Sequence, residues 1–187
     1  MHSYQQIRRQ RALQEAEGYL DLVLVLSDRW PPQQSTCHQF AQNALQALAR
    51  ISDFGGESSH ARYLEGESLK ILHQYDDAIV ALMQASHLDR DNIHILLSLG
   101  WCYKRTGQLD LAIQALEDAI EIENGEAIIF YNLACYWSLT DNVAHALGYL
   151  SKAFALDSKY RDFVDKETDF DLIRDNPDFQ LLTSVIV

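Results

Sequence analysis

A repeat of 34 residues is the feature that most constrains the fold of this chain. Shifting the sequence against itself by 34 residues aligns Gly66 with Gly100 and Ala134. Three further columns follow the same shift, and they contain Ala78, Ala112 and Ala146, then Leu82, Leu116 and Leu150, then Ala85, Ala119 and Ala153. A fixed period of this size is typical of stacked supersecondary units that bury their apolar sides against one another.

The small residues in these columns predict pairs of closely packed helices. Glycine or alanine on one helix lets an antiparallel partner approach its backbone, whereas a bulky side chain would separate the pair. The apolar residues recur with helical spacing, and the chain contains only 3 prolines and 8 glycines, so we predict an all-α fold. The predicted helix pairs are 61–72 with 77–88, 95–106 with 110–122, and 128–139 with 143–156.

The turn inside each pair is predicted to contain one residue in the left-handed conformation. Gly107 follows the first helix of the middle pair, and His73 and Asp141 occupy the equivalent positions of the other two. A left-handed residue closes many helices, and glycine adopts that conformation most easily. Asp and His visit it more often than most other residues do.

These residues resemble the tetratricopeptide repeat family. The middle unit carries the pattern in Leu96, Leu99, Gly100, Tyr103, Ala112, Leu116 and Ala119, and the flanking units carry its counterparts. The proline that often ends such repeats is replaced by Arg90, Asn124 and Ser158. The resemblance implies a right-handed α-solenoid of antiparallel helix pairs whose function is to bind a protein or a peptide.

We expect three regions along the chain. Residues 1–58 would form an irregular N-terminal helix pair, with helices at 16–20 and 40–51 and a longer loop at 30–35. Residues 59–158 would form three repeats, at 59–92, 93–126 and 127–158. Residues 159–187 would form an acidic capping helix and tail, because the last repeat of an array needs its apolar face covered. The stretch 169–179 also resembles a tail that follows many bacterial arrays of this family.

In this family the first helix of each repeat lines a concave groove, and the register then places the binding positions. The predicted groove residues are Tyr63, Glu67, Lys70, His94, Leu97, Trp101, Lys104, Arg105, Tyr131, Asn132 and Cys135. Their cations predict a partner with an acidic or carboxylate-bearing segment, and their aromatic residues are typical binding anchors. The alternative is that Lys70, Lys104 and Arg105 only stabilise the negative ends of their own helices.

Some repeats of this family clamp the terminal carboxylate of chaperone tails with Lys and Asn. Lys104 and Asn132 fit such a clamp, but His94, Leu97 and Tyr131 stand where other clamp residues are required. The sequence therefore disfavours a chaperone co-factor.

Charge and composition limit the remaining function classes. A net charge of −12 argues against binding nucleic acid or an anionic membrane, since both require a basic face. The apolar run at 20–26 is too short to span a bilayer and is interrupted by Asp21. Cys37, Cys102 and Cys135 are odd in number and widely spaced, which predicts reduced thiols and a cytoplasmic protein.

No residue pattern predicts an enzyme, a cofactor or a metal centre. The histidines lack the helical spacing of a metal pair, and the acidic residues near 162–171 lack the glycine of a calcium loop. The competing class is a structural protein that forms a homodimer through the apolar ending 185–187 or through the N-terminal helix.

Overall fold

A computed structural model describes residues 2–29, 34–52 and 58–184 of the protein, and every regular element within those ranges is helical. The chain divides into two compact units, Met1–Arg90 and Asp91–Val187. Each unit is built from helix pairs, as the repeated columns of small residues predict. Within the described ranges, no helix combines the length and the apolar character needed to cross a membrane.

The first unit contains four helices: α1 (His2–Arg29), α2 (Gln34–Ser52), α3 (Ser59–Ile71) and α4 (Tyr75–Leu88). α1 pairs with α2 and α3 pairs with α4, while α2 also contacts α3. Ala16, Leu20 and Leu64 are buried together in one cluster, so the N-terminal pair and the first repeat share a core. Of the loop predicted at 30–35, residues 30–33 lie outside the described ranges, and α2 already begins at Gln34.

The second unit begins with four helices: α5 (Ile93–Arg105), α6 (Leu109–Ile122), α7 (Ala127–Leu139) and α8 (Val143–Leu156). The strongest contacts are within the pairs, α5 with α6 and α7 with α8. For all three repeats the helix bounds agree with the sequence prediction to within two residues. Asn92 and Asn142 accept hydrogen bonds from backbone N–H groups in the first turns of α5 and α8, which fixes where these helices begin.

The glycines of the repeated column lie where the helices of a pair meet. A Cβ atom added at Gly66 would lie 2.5 Å from Cγ of Leu82, and one added at Gly100 would lie 3.2 Å from Cγ of Leu116. The structure therefore confirms that these positions are small because a neighbouring helix approaches them closely.

The three turns inside the repeats have one geometry. His73, Gly107 and Asp141 have φ angles of 61°, 77° and 59°, which confirms the predicted left-handed conformation. After α5, the N–H of Gln108 donates to the carbonyl of Tyr103, and the N–H of Gly107 donates to that of Lys104. The turns after α3 and α7 repeat these two hydrogen bonds, so each first helix ends in a Schellman motif.

The capping segment differs from the single helix expected for it. It consists of a 3₁₀ turn at Ser158–Tyr160, α9 (Arg161–Val164), a second 3₁₀ turn at Thr168–Phe170, and α10 (Pro177–Ser184). Its buried side chains are Val164, Phe170, Ile173 and Phe179.

Local hydrogen bonds explain why the capping segment is broken into short turns. The Arg174 guanidinium donates to the carbonyls of Val164 and Glu167, and the Asn176 side chain accepts from the N–H groups of Asp178 and Phe179. These bonds satisfy backbone groups that a continuous helix would pair internally. The ending 185–187, proposed above as a dimer contact, lies outside the described residues.

Candidate functional site

One stripe of predicted groove residues runs along α5. His94, Leu97, Trp101 and Arg105 share a helical face because they are spaced by three or four residues. His94 and Arg105 are exposed, whereas Leu97 and Trp101 are half-buried. Cζ of Arg105 lies 5.6 Å from the centroid of the Trp101 ring, a cation–π contact that orients the ring. The stripe therefore offers an aromatic surface beside a positive charge, and we call these four residues the α5 stripe.

Lys104, the second predicted cation of α5, already contacts a carboxylate of its own chain. Its Nζ lies 2.5 Å from Oδ2 of Asp169, with only 20% and 12% of the two side chains exposed. The same ammonium lies 5.8 Å from the ring centroid of Tyr136. Lys104, predicted to meet the acidic segment of a partner, therefore contacts an acidic residue of its own chain.

Tyr131 and Cys135, predicted to face the groove from α7, are buried beside the same segment. Tyr131 is 5% exposed, and its ring lies 5.8 Å from that of Phe170 at an interplanar angle of 84°. The ring of Tyr160 lies 4.9 Å away from it. Cys135 is 2% exposed, close to the carboxylates of Glu167 and Asp169. We call Glu167–Phe170 the covering segment.

The thiol of Cys135 and the carboxylates of Glu167 and Asp169 could together hold a metal ion, because their ligand atoms all lie within 4.8 Å of one another. Lys104 already supplies positive charge at this point through its contact with Asp169. Burial, followed by the charges of Asp169 and Glu167, raises the pKa of the Cys135 thiol well above its ordinary value, although Lys104 opposes the shift. We therefore interpret the cluster as an ion-paired contact between α5, α7 and the covering segment.

Three buried hydroxyl groups of α7 have no hydrogen-bond partner among the described residues. They are Oη of Tyr131, Oη of Tyr136 and Oγ of Ser138. Burial is the main cause that raises the pKa of both tyrosines. A buried hydroxyl left unpaired costs about 1–3 kcal/mol. Tyr131 therefore packs against Phe170 of the covering segment while its own hydroxyl group stays unpaired.

The predicted groove residues of the first unit have partners of a different kind. Nζ of Lys70 lies 2.7 Å from Oε1 of Glu67, one turn earlier on α3. Tyr63 packs against the buried cluster that includes Leu20 and Leu64. Asn132, in the second unit, is half-buried on α7. The assignment of all these residues to a binding groove stays a prediction.

Sequence reasoning did not place the covering segment among the site residues. Glu167, Asp169 and Phe170 follow the last repeat and have no counterpart in the 34-residue pattern. The available signal was chemical: an acid directly before an aromatic residue complements a face that carries Lys104 and Tyr131.

Comparison with known proteins supports the repeat assignment. A tetratricopeptide repeat family model matches residues 71–133. No curated protein sequence matches the chain.

Solved structures share the fold. YrrB, described as a TPR protein with an unusual peptide-binding site, is 22% identical, with 82% of each chain covered and a TM-score of 0.63. MamA is 20% identical, with 79% of this chain and 89% of that chain covered and a TM-score of 0.61. A MamA fragment from Desulfovibrio magneticus RS-1 is 17% identical, with 78% and 96% covered and a TM-score of 0.60. At these identities the likeness shows the helix-pair fold alone.

Proposed function

We propose that the chain is an adaptor that holds a peptide segment or a partner protein against the α5 stripe, because residues 71–133 match a tetratricopeptide repeat family model. The observation that carries the proposal is the pairing of Trp101 with Arg105 on an accessible helix face. Tryptophan and arginine are among the residue types most enriched at the few interface positions that contribute most of the binding energy. The role is binding and not catalysis.

The chemistry of the α5 stripe favours an acidic partner. Arg105 is exposed, and its guanidinium can donate hydrogen bonds to the carboxylate of a partner while it stays over the Trp101 ring. Complementary charge speeds the encounter and fixes the orientation of a bound segment. The description of YrrB as having a peptide-binding site supports a peptide or a flexible protein segment as the ligand class.

We also infer that the protein works in the cytoplasm. Cys37, Cys102 and Cys135 form no disulfide in the structure, which fits a reducing compartment.

The proposed function is tested by affinity capture from native cell lysate. The wild-type chain is compared with the double variant Trp101→Ala/Arg105→Glu, which removes the aromatic surface and reverses the charge of the α5 stripe. The matched control is Arg90→Glu, which reverses an exposed arginine in the first unit. We expect a partner that the wild type and Arg90→Glu retain and the double variant loses. A partner captured equally by all three proteins would contradict the proposal, provided that all three have the same helix content by circular dichroism.

A further inference from the structure

We propose that the face formed by Lys104, Tyr131 and Cys135 binds peptide segments in which an acidic residue directly precedes an aromatic one, and that the chain's own Asp169–Phe170 is the resident ligand. This inference rests on the proposed function, since it names the chemistry of the ligand that such an adaptor holds. The inference also adds a second binding face, beside the α5 stripe. The chain's own Asp169–Phe170 covers this face and must move away before a partner can bind there.

The carboxylate half of the resident ligand is recognised by charge. Asp169 reaches Lys104 with an Oδ2–Nζ distance of 2.5 Å, in a place where both side chains are largely excluded from water. Lys104 comes from α5 of the preceding repeat, whereas Asp169 follows the last repeat by sequence. A lysine at the end of a helix stabilises that helix without contacting any carboxylate. The contact between Lys104 and Asp169 is therefore an additional interaction, made with the covering segment.

The aromatic half is recognised by an edge-to-face contact. Phe170 is fully buried and meets the Tyr131 ring at 5.8 Å and 84°, a geometry preferred by aromatic pairs. Phe179 lies 5.5 Å from Phe170 on the capping segment itself, so the capping segment supplies part of the ring's surroundings. An aromatic side chain from a partner could meet Tyr131 in the same way.

The resident ligand leaves polar groups of the face without partners. The hydroxyl groups of Tyr131 and Tyr136 are buried and lack a hydrogen-bond acceptor among the residues that the structure describes. A partner segment that offered acceptors to them would recover part of the free energy lost by leaving these hydroxyl groups unpaired. The face is therefore better matched to a more polar acidic–aromatic segment than to the one that covers it.

The intramolecular connection decides how the two ligands compete. A tethered segment acts at an effective concentration on the order of millimolar, so a free peptide of equal chemistry binds poorly while the tether holds. Weakening the contact between the covering segment and the face should therefore reveal binding of the free peptide.

A reversible disulfide between the covering segment and α7, which we call the lock, tests the inference by comparing the oxidised and reduced forms of one protein. Asp169→Cys removes the Lys104 contact and places a thiol next to Cys135, whose sulfur lies within 4.8 Å of the Asp169 carboxylate. Oxidation would join the covering segment to α7 through a disulfide bond to Cys135, and reduction would break that bond. The probe is a fluorescent peptide with the sequence of residues 165–172, and its binding is measured by anisotropy on the full chain.

We expect the reduced Asp169→Cys protein to bind the peptide at least about tenfold more tightly than the oxidised form or the wild type. Asp169→Ser also removes the Lys104 contact but cannot form the lock, so it should bind the peptide equally well in both redox states. A peptide with Asp169→Asn and Phe170→Ala should not bind. If Asp169→Cys loses helix content when reduced, Asp169→Asn in the full chain replaces it and should also bind the peptide more tightly than the wild type.

Equal binding by the reduced and oxidised forms, with helix content intact, would overturn the inference, and so would equal binding of the altered peptide. That failure is distinguishable from a failure of the proposed function. If the peptide fails to bind but lysate capture still requires Trp101 and Arg105, the adaptor function stands and only the assigned ligand chemistry is wrong.

Discussion

The hydroxyl group of Tyr136 is buried in α7, with 1% of the residue exposed and no hydrogen-bond partner among the described residues. Tyr136→Phe removes this unpaired group and keeps the packing of the ring, so we expect the free energy of unfolding to rise by about 1 kcal/mol. Urea denaturation at neutral pH measures the change. Tyr75→Phe is the control, because Oη of Tyr75 makes a 2.6 Å hydrogen bond to Nδ1 of His73 and its loss should bring no gain. A fall in stability for Tyr136→Phe would show that the hydroxyl has a partner in solution.

The buried thiol of Cys135 and the buried hydroxyl of Tyr136 also predict how the stability of the protein depends on pH. Burial raises the pKa of Cys135 above its ordinary value of 9.0, and burial raises that of Tyr136 above 10.0. The unfolded chain therefore releases these protons at lower pH than the folded chain does, so the unfolded state binds fewer protons and stability falls as pH rises. The stability is fully present below about pH 9 and is lost progressively above it.

Thermal denaturation between neutral pH and about pH 10 measures this decline, and Cys135→Ala should make its first part shallower. A decline that is identical in the wild type and Cys135→Ala would contradict the raised pKa of that thiol.

At the scale of helix pairs, we predict that replacing the two repeat glycines with alanine lowers stability by different amounts. The Cβ of Gly66→Ala would collide with Leu82 at 2.5 Å, so we expect a loss of about 1–3 kcal/mol. Gly100→Ala meets Leu116 at 3.2 Å, and the better helix propensity of alanine, about 1 kcal/mol, offsets much of the smaller strain. Gly18→Ala in α1 meets nothing within 4 Å and should be stabilising. Urea denaturation of the three variants should give this order, and a Gly66→Ala protein as stable as Gly18→Ala would contradict the close approach.

The repeat elements could be predicted from sequence because their determinants are local or periodic. The helix bounds follow from the 34-residue columns, and the left-handed turn residues follow from their place after each first helix, even for His73 and Asp141. The route of the capping segment could not be predicted in this way. Its turns depend on single side chains, above all Arg174 and Asn176, whose bonds to distant carbonyls and nearby N–H groups leave no periodic trace.

The candidate site was predictable in part for the same reason. Register alone places Trp101 and Arg105 on one face of α5, and the structure brings them into contact. Register could not show that Lys104 and Tyr131 meet Asp169 and Phe170, because that contact joins residues up to 65 positions apart. The unpaired hydroxyl groups were equally hidden, since a sequence does not show which polar atoms lack partners.

At the scale of the whole molecule, the charge balance supports the proposal of an acidic partner. The chain carries 27 acidic residues against 15 lysines and arginines, so positive charge on a binding face stands out. Lys70 and Lys104 are each neutralised within their own unit, by Glu67 and Asp169. Arg105 is exposed and lies over the Trp101 ring, and we propose that it contacts the acidic group of a partner. The predicted groove of the second unit therefore divides into an accessible α5 stripe and an α7 face that the chain itself covers.

Thiol reactivity tests that division most directly. The full chain is treated with iodoacetamide, and the alkylation rates of Cys37, Cys102 and Cys135 are followed by mass spectrometry for the wild type and for Asp169→Asn. Cys37 is partly exposed, and Cys102 is fully buried between the helices and reports global unfolding. We expect Cys135 to react far more slowly than Cys37 in the wild type and faster in Asp169→Asn, while Cys102 stays protected in both. A wild-type Cys135 that reacts as fast as Cys37 would contradict the account, because the covering segment would then not lie on α7 in solution.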